Sequence, residues 1–461
     1  MFIIKKCWLM ALLLLPNISN AQNQKSVSLN FLLEKVAANA PALTADAAAI
    51  QIKQAQASEV RSNWLPSLKL NYQADVGTNN NTAGPYFGFG IVPSNSRGVR
   101  TESNTSATLT NLGIAALDWE IYNFGAYGAA NKAAAADIDV EQKQFEQSKY
   151  SVTAATIDDY LQLGLLQGLI TIQTRNIERT KEIRRSIQAL ARSGIRAGVD
   201  TSIAEAEISK ARLTYIDLTN QAQQLQIRLA ALSGLPPSDI VADTTTQQTL
   251  ARNAAEFSLF NADTLNHPVI NYYTSVYNSS LRREDLIKKS YAPKILLEAA
   301  AWGRGSSITG DDRYKPLNAG WGFDRGNYLV GVGISYNLFD VNKRRLRLNT
   351  QKAASYYAQK RLNEQKAVIS AGSRQADANI ASALARLQEI PKQLTAANAA
   401  YRQKFALYKN GLTDIIELNA AMNLLYRAET DYNSAKYSYC RALFQKAVIE
   451  NQVSAILNLL K

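Results

Sequence analysis

The sequence predicts an α+β membrane fold in which one structural unit is written twice, and its open sheet and very long helices both need further copies of the chain. Three observations carry this: an internal duplication, alternating segments of bilayer-crossing length, and a proline-free helical stretch too long for a compact domain.

The first residues, MFIIKKCWLMALLLLPNISNAQNQ, place Lys5 and Lys6 before an apolar run from Cys7 to Leu15 and a small-x-small ending at Ser19 and Ala21. This is the pattern of a signal peptide over residues 1–21, cut after Ala21. The run is shorter than the roughly 18 residues a spanning helix needs. Removing the two lysines lowers the formal charge from +13 to +11 (13 − 2). Cys7 leaves with the signal and no cysteine follows the cut, so the new terminus has no lipid-attachment site.

Two copies follow. Pro41 and Pro66 are 25 positions apart, as are Pro268 and Pro293, which sets an offset of 227 between the copies (268 − 41). Farther on, Tyr122 in IYNFG matches Phe339 in NLFDV, and Gly198 in RAGVDTS matches Gly411 in KNGLTDI. Four landmarks recurring in order divide the chain into a first repeat at 22–240, a linker or equatorial segment at 241–262 and a second repeat at 263–461. Each repeat reads helix, strand, strand, long helix, helix.

The first strand follows Pro66: Leu68, Leu70, Tyr72, Ala74 and Val76 alternate with Ser67, Lys69, Asn71, Gln73 and Asp75. The second shows alternation only near its end, where Leu117, Trp119 and Ile121 oppose Asp118 and Glu120. In the second repeat KILLEAAAWG is ambiguous by pattern, and from Tyr328 to Leu338 the alternation is regular again. Periodicity alone favours a soluble sandwich. Strand lengths of about ten residues or more, with long polar Gly-rich connections inside each pair, favour an outer-membrane barrel instead. Four strands cannot close one, since about eight are needed.

From about Ala126 to Ala191 there is no proline, and the interior glycines are only Gly128, Gly164 and Gly168. One helix of roughly 65 residues, ~100 Å long, is expected, and it needs coiled-coil neighbours. The last helix carries the seam: Leu418, Leu425, Tyr432 and Tyr439 recur every seven residues, with Ala421, Ala428, Ala435 and Ala442 three places later. The first repeat has a similar stripe at Ala204, Ala211, Leu218, Leu225 and Leu232. Between strand and helix lie two junctions with no evident loop. There Gly125 supplies flexibility, and Asp340 with Asn342 supplies capping oxygens, for a hinge that keeps backbone groups satisfied from membrane to water.

Chemistry-bearing residues are few. Cys440 alone survives processing and reads as a small apolar filler, and His267 is the only histidine, set before Pro268 in a turn-like stretch. One of each cannot build a usual metal or nucleophilic site, and no P-loop, GxSxG or HExxH occurs, so no enzyme, cofactor or metal is expected. The basic charges are scattered, and an exported chain has no call on nucleic acid.

With its junctions WEIYNFG and YNLFD, its LP and AP strand starts, its duplicated layout and its helix starts after Gly198 and Gly411, the chain resembles the TolC-type outer-membrane efflux protein family over about residues 28–452. The resemblance implies a homotrimer in the cell outer membrane, extending into the periplasm, with a twelve-stranded β-barrel, four strands per protomer, continued by an α-helical coiled-coil tunnel. It implies barrel-to-tunnel junctions at Trp119, Tyr122, Gly125, Tyr336, Phe339 and Asp340. It implies that the turns Gly198, Val199 and Asp200, and Gly411, Leu412 and Thr413, dock a periplasmic adaptor (membrane fusion) protein. A pore constriction would come from Asp414 and Glu417, although Asp414 reads equally as a helix cap, and the family's frequent second aspartate is absent near Asn419. Arg196 and Lys409 stand where they could pair with these acids.

The implied function is a passive exit duct for small toxic compounds, working with an inner-membrane transporter and the adaptor in surrounding lipid. The exit duct of a type I protein-secretion system shares this architecture. A soluble periplasmic adaptor or scaffold fits less well, because it carries one hairpin in a small β-domain rather than two full units with bilayer-length strands.

Overall fold

The computed structural model describes residues 26–80, 102–192, 199–243 and 266–458; the signal segment and Gly198 and Arg196 lie outside them. In chain order the elements are α1 (Leu29–Asn39), α2 (Pro41–Ser62), β1 (Ser67–Thr78), β2 (Ala107–Tyr122), α3 (Ala126–Arg192) and α4 (Val199–Ser233). Then come α5 (Pro268–Ser290), β3 (Lys294–Ser306), β4 (Arg325–Ser335), α6 (Asp340–Lys409), α7 (Ile415–Ile449) and the short α8 (Val453–Asn458). By contacts the chain forms two compact units, and each draws on both halves of the sequence: residues up to Ala47, Gln144–Asn271 and beyond Glu364 in one, Ala48–Lys143 and Tyr272–Asn363 in the other.

The second unit holds the sheet, antiparallel throughout in the order β1-β2-β3-β4, with strands of 12, 16, 13 and 11 residues. The ambiguous KILLEAAAWG stretch is a central strand. Register aligns Leu68 with Leu117, Tyr72 with Gly113, Gly113 with Gly303, Gly303 with Gly326, and Leu297 with Val332. One face is therefore apolar, with Leu70, Tyr72, Leu117, Trp119, Val330 and Val332, while the other carries Lys69, Asn71, Gln73, Asp118, Glu298 and Asn327. Such alternation suits a wall with lipid on one side and water on the other. β1 and β4 are the edges, and both are exposed along their whole length. An exposed edge of bilayer length is a template for pairing with another chain.

The alternation from Tyr328 to Leu338 overstates the last strand. β4 ends at Ser335 because its antiparallel partner β3 begins at Lys294, so no ladder remains for Tyr336 and Leu338. Between β3 and β4 the chain folds back on the apolar face, where the Phe323 ring covers Gly113 and Gly303. A Cβ at these positions would come within 2.7 Å and 2.8 Å of that ring, so any side chain there would displace the Phe323 ring from the sheet. Phe323 also meets Tyr72 edge-on at 6.2 Å.

In the other unit the coiled-coil reading holds. Leu418, Leu425, Tyr439 and the four seam alanines of α7 are buried, as are Ala204, Ala211 and Leu225 of α4. Gly168 lets Asn433 press against α3, where its amide donates to Leu165 O. Cys440 is buried among these apolar side chains, and burial pushes its thiol up to about 12, which removes it from thiolate chemistry. His267 is also a structural group. Its Nδ1 accepts from Val269 N, at the start of α5, so Nε2 carries the proton and donates to Val448 O at 3.1 Å; burial holds its pKa below the ordinary value.

Candidate docking tip and pore constriction

The turn from α6 to α7 is built by helix-end chemistry. Gly411 takes a positive φ of 75°, with its N–H on Tyr408 O and the Leu412 N–H on Leu407 O, the αL glycine ending that satisfies a helix's last carbonyls. Asp414 then caps α7, accepting from Glu417 N at 2.8 Å. The cap half of its two readings is what this geometry displays.

The neighbouring helix hairpin lies against the same core. Ile183 and Ile187 from α3, Ala204 from α4, Tyr408 from α6, and Ile415, Leu418 and Met422 from α7 form one buried apolar cluster. The helix ends that flank both turns thus share one apolar base. Above it Val199, Leu412 and Ile416 are 65%, 73% and 70% exposed. Apolar side chains held out on a rigid base are what a partner helix can cover.

The basic partner of the acids differs from the expectation. Glu417 pairs with Lys404 and accepts from Thr413 Oγ1 at 2.8 Å, whereas Lys409 reaches Glu182 Oε1 at 3.9 Å and lies 4.6 Å above the Phe405 ring. Lys409, adjoining the turn, is directed to α3 rather than across the hairpin. Counting outward from Gly411 could have found the right partner, since Lys404 is seven residues before it and Glu417 six after. The hydrogen bonds from Lys404 and Thr413 hold the Glu417 carboxyl below its ordinary value, so it is charged at neutral pH. About three helical turns farther along α7, Arg179 grips Glu429 through two hydrogen bonds, of 3.1 Å and 2.5 Å, with both side chains largely buried. Single-helix patterns do not signal that pair, because its members lie 250 residues apart.

The strand-to-helix junctions lie in the sheet unit. At the first, Trp119 Nε1 donates to Trp64 O at 2.9 Å, the Trp64 ring meets Trp119 edge-on and Tyr127 at a tilt, and Lys294 binds Glu120 at 2.6 Å. Phe124 and Gly125 have positive φ values of 49° and 86°, and Asn123 Oδ1 caps α3 by accepting from Tyr127 N. At the second, the turn-forming oxygen belongs to Asn337, which accepts from Phe339 N at 3.2 Å; Asn342 accepts from the Arg345 side chain instead. The side-chain oxygens that order the two junctions therefore belong to Asn123, which caps its helix, and Asn337, which forms a turn before its helix, rather than to Asp340 and Asn342, because an Asx side chain reaches N–H groups ahead of it.

An open sheet of bilayer-crossing strands joined directly to helices of 67 and 70 residues defines the protomer of a membrane channel. The chain belongs to the outer membrane efflux protein family, whose model matches residues 32–235 and 268–445. It is thus a protein of the cell outer membrane, extending into the periplasm. Solved structures share the fold, which in this family is a trimer with four strands and a share of the helical tunnel from each protomer. The outer-membrane channel OprN is 20% identical with a TM-score of 0.69, covering 92% of this chain and 90% of its own. The Campylobacter jejuni CmeC outer membrane channel is 15% identical with a TM-score of 0.71, covering 94% and 89%. The Vibrio cholerae outer membrane protein VceC is 13% identical with a TM-score of 0.69, covering 92% and 96%. No curated protein matches the sequence significantly.

Proposed function

We propose that three copies of this chain form a passive exit duct for small toxic compounds in a tripartite efflux system, with a periplasmic adaptor protein and an inner-membrane transporter that supplies the energy. The observation that supports it most is the pair of free edges, β1 and β4, flanking a sheet with one apolar and one polar face. Three such sheets, edge to edge, make a closed barrel with no unpaired backbone in lipid. The two repeats, 22–240 and 263–461, would then be successive quasi-equivalent staves, linked by 241–262. Trp119, Tyr122, Gly125, Tyr336, Phe339 and Asp340 would be the bends between barrel and helices.

In this reading the adaptor covers Val199, Asp200, Leu412 and Thr413 around Gly411, with Gly198 beside them in sequence. Asp414 and Glu417 from three copies form a carboxylate ring that favours cations. Glu417 carries the pH dependence of that ring. Its pKa is lowered in the folded chain, so its ionised form contributes at neutral pH, and that contribution is lost as pH falls through the lowered value.

The test is the particle mass of the detergent-extracted outer-membrane protein, followed by conductance in planar bilayers. A trimer whose cation preference fades on acidification, and falls in Glu417→Gln, is expected. In Lys404→Gln the loss should begin at higher pH, because the hydrogen bond that holds the carboxyl down is gone. A soluble monomer would sink the duct, and a trimer with unaltered selectivity in Glu417→Gln would remove the ring.

A further inference from the structure

Between Asp340 and Glu364 the second long helix has seven basic residues and no acidic one. Four of them, Lys343, Arg344, Arg345 and Arg347, crowd its first two turns, and all four are exposed. Their contacts are with neutral groups: Arg345 donates to Asn342 Oδ1 at 2.9 Å and Arg347 to the Tyr291 hydroxyl at 2.8 Å. Among the described residues none of the four is in an ion pair. The fold does not demand this charge, since the matching turns of α3 hold only Lys132 and are followed by Asp137, Asp139 and Glu141. Four like charges near the positive end of a helix repel one another and the helix dipole, so an outside anion would relieve both.

The apolar side of the same segment says where that anion lies. The lipid-type face of β4 carries Val330, Val332 and Ile334, and just past the strand Tyr336, Leu338 and Phe339 are exposed, Phe339 at 94%. At about 1.5 Å of helix rise per residue, Lys343 to Arg347 begin about 6 Å past Phe339 and end about 12 Å past it. That begins in the outer part of the polar layer, which adds about 5–7 Å on each side of the hydrocarbon core, and long side chains leaning back toward the helix N-terminus return their ends into it. Aromatic residues at the end of a span, followed by a basic cluster, are the arrangement that meets anionic headgroups.

We propose that Lys343, Arg344, Arg345 and Arg347 form a binding surface for the phosphate headgroups of anionic phospholipid in the periplasm-facing leaflet. The proposal rests on the sheet crossing the bilayer as read above. The long basic side chains extend their cationic ends to phosphate, and the surface anchors the depth of the junction.

The test compares the full chain with the variant Lys343→Gln/Arg344→Gln/Arg345→Gln/Arg347→Gln. Each is placed in nanodiscs of phosphatidylcholine alone, or with about one-third phosphatidylglycerol, after its particle mass is measured. The wild-type protein is expected to retain phosphatidylglycerol about tenfold above its bulk share and to unfold at higher temperature in its presence, while the variant keeps the same mass and loses both effects. A second variant, Lys352→Gln/Lys360→Gln, farther along the same helix, keeps them. No lipid preference in the wild type would overturn the proposal, as would an undiminished preference in the fourfold variant. A fourfold variant that falls to monomers would also overturn it, because the cluster would then face a neighbouring copy. A wild-type chain that forms no membrane-embedded particle would overturn the bilayer reading itself, whereas loss of lipid preference alone leaves that reading standing.

Discussion

The two strand-to-helix junctions occupy matching places in the repeat and are built in opposite ways. The first is finished by its own chain: Trp64, Trp119 and Tyr127 pack together, Lys294 pairs with Glu120, and Asn123 caps the helix. The second follows the edge strand β4 and stands open, with Tyr336, Leu338 and Phe339 all exposed. A duplicated sequence need not make duplicated environments. β2 lies inside the sheet and β4 at its margin, so among the described residues the first junction has aromatic and charged packing that the second lacks. What the second lacks, lipid and adjoining protomers would supply.

The largest test puts a charge on the open side. Val332→Arg, on the apolar face and 66% exposed in one copy, is expected to cost about 2–4 kcal/mol of folding in a bilayer, while Asn327→Arg on the opposite face costs almost nothing. Equal effects, measured by the folded fraction against denaturant in vesicles, would break the assignment of faces. Next is Trp119→Ala, which removes an aromatic contact and the hydrogen bond to Trp64 O and should cost about 2 kcal/mol in the same titration. Loss of the cap in Asn123→Ala comes third, at about 1 kcal/mol. Smallest is Phe339→Ala, expected within about 0.5 kcal/mol for the fold of one chain. If it instead lowers the fraction of trimer seen by particle mass, the second junction is a subunit contact, and the comparison is sharpened in that direction.

Much of the fold is legible in the residues because its signals are local. Period-two alternation marks β1 and β4, the proline-free run after Gly125 marks α3, and the seven-residue recurrence from Leu418 to Tyr439 marks the buried face of α7. The doubled landmarks at Pro41, Pro66, Pro268 and Pro293 reveal the repeat before any contact is known. β3 was ambiguous for a physical reason: an internal strand rich in alanine carries little contrast between its faces.

Tertiary structure decided which groups meet. Local spacing places Lys409 nearest the tip acids, yet the hairpin brings Lys404 to Glu417 and sends Lys409 to Glu182. Alternation runs on to Leu338, yet β4 stops where β3 has no residue left to pair. Nothing around Gly113 or Gly303 announces that a ring 20 or more residues from either will cover both. Most element types, the faces of β1 and β4 and the duplication follow from the residues alone, since these rest on the backbone's own periods. Partners, strand ends and the one closed junction came only from the folded chain, because they depend on residues brought together from far apart.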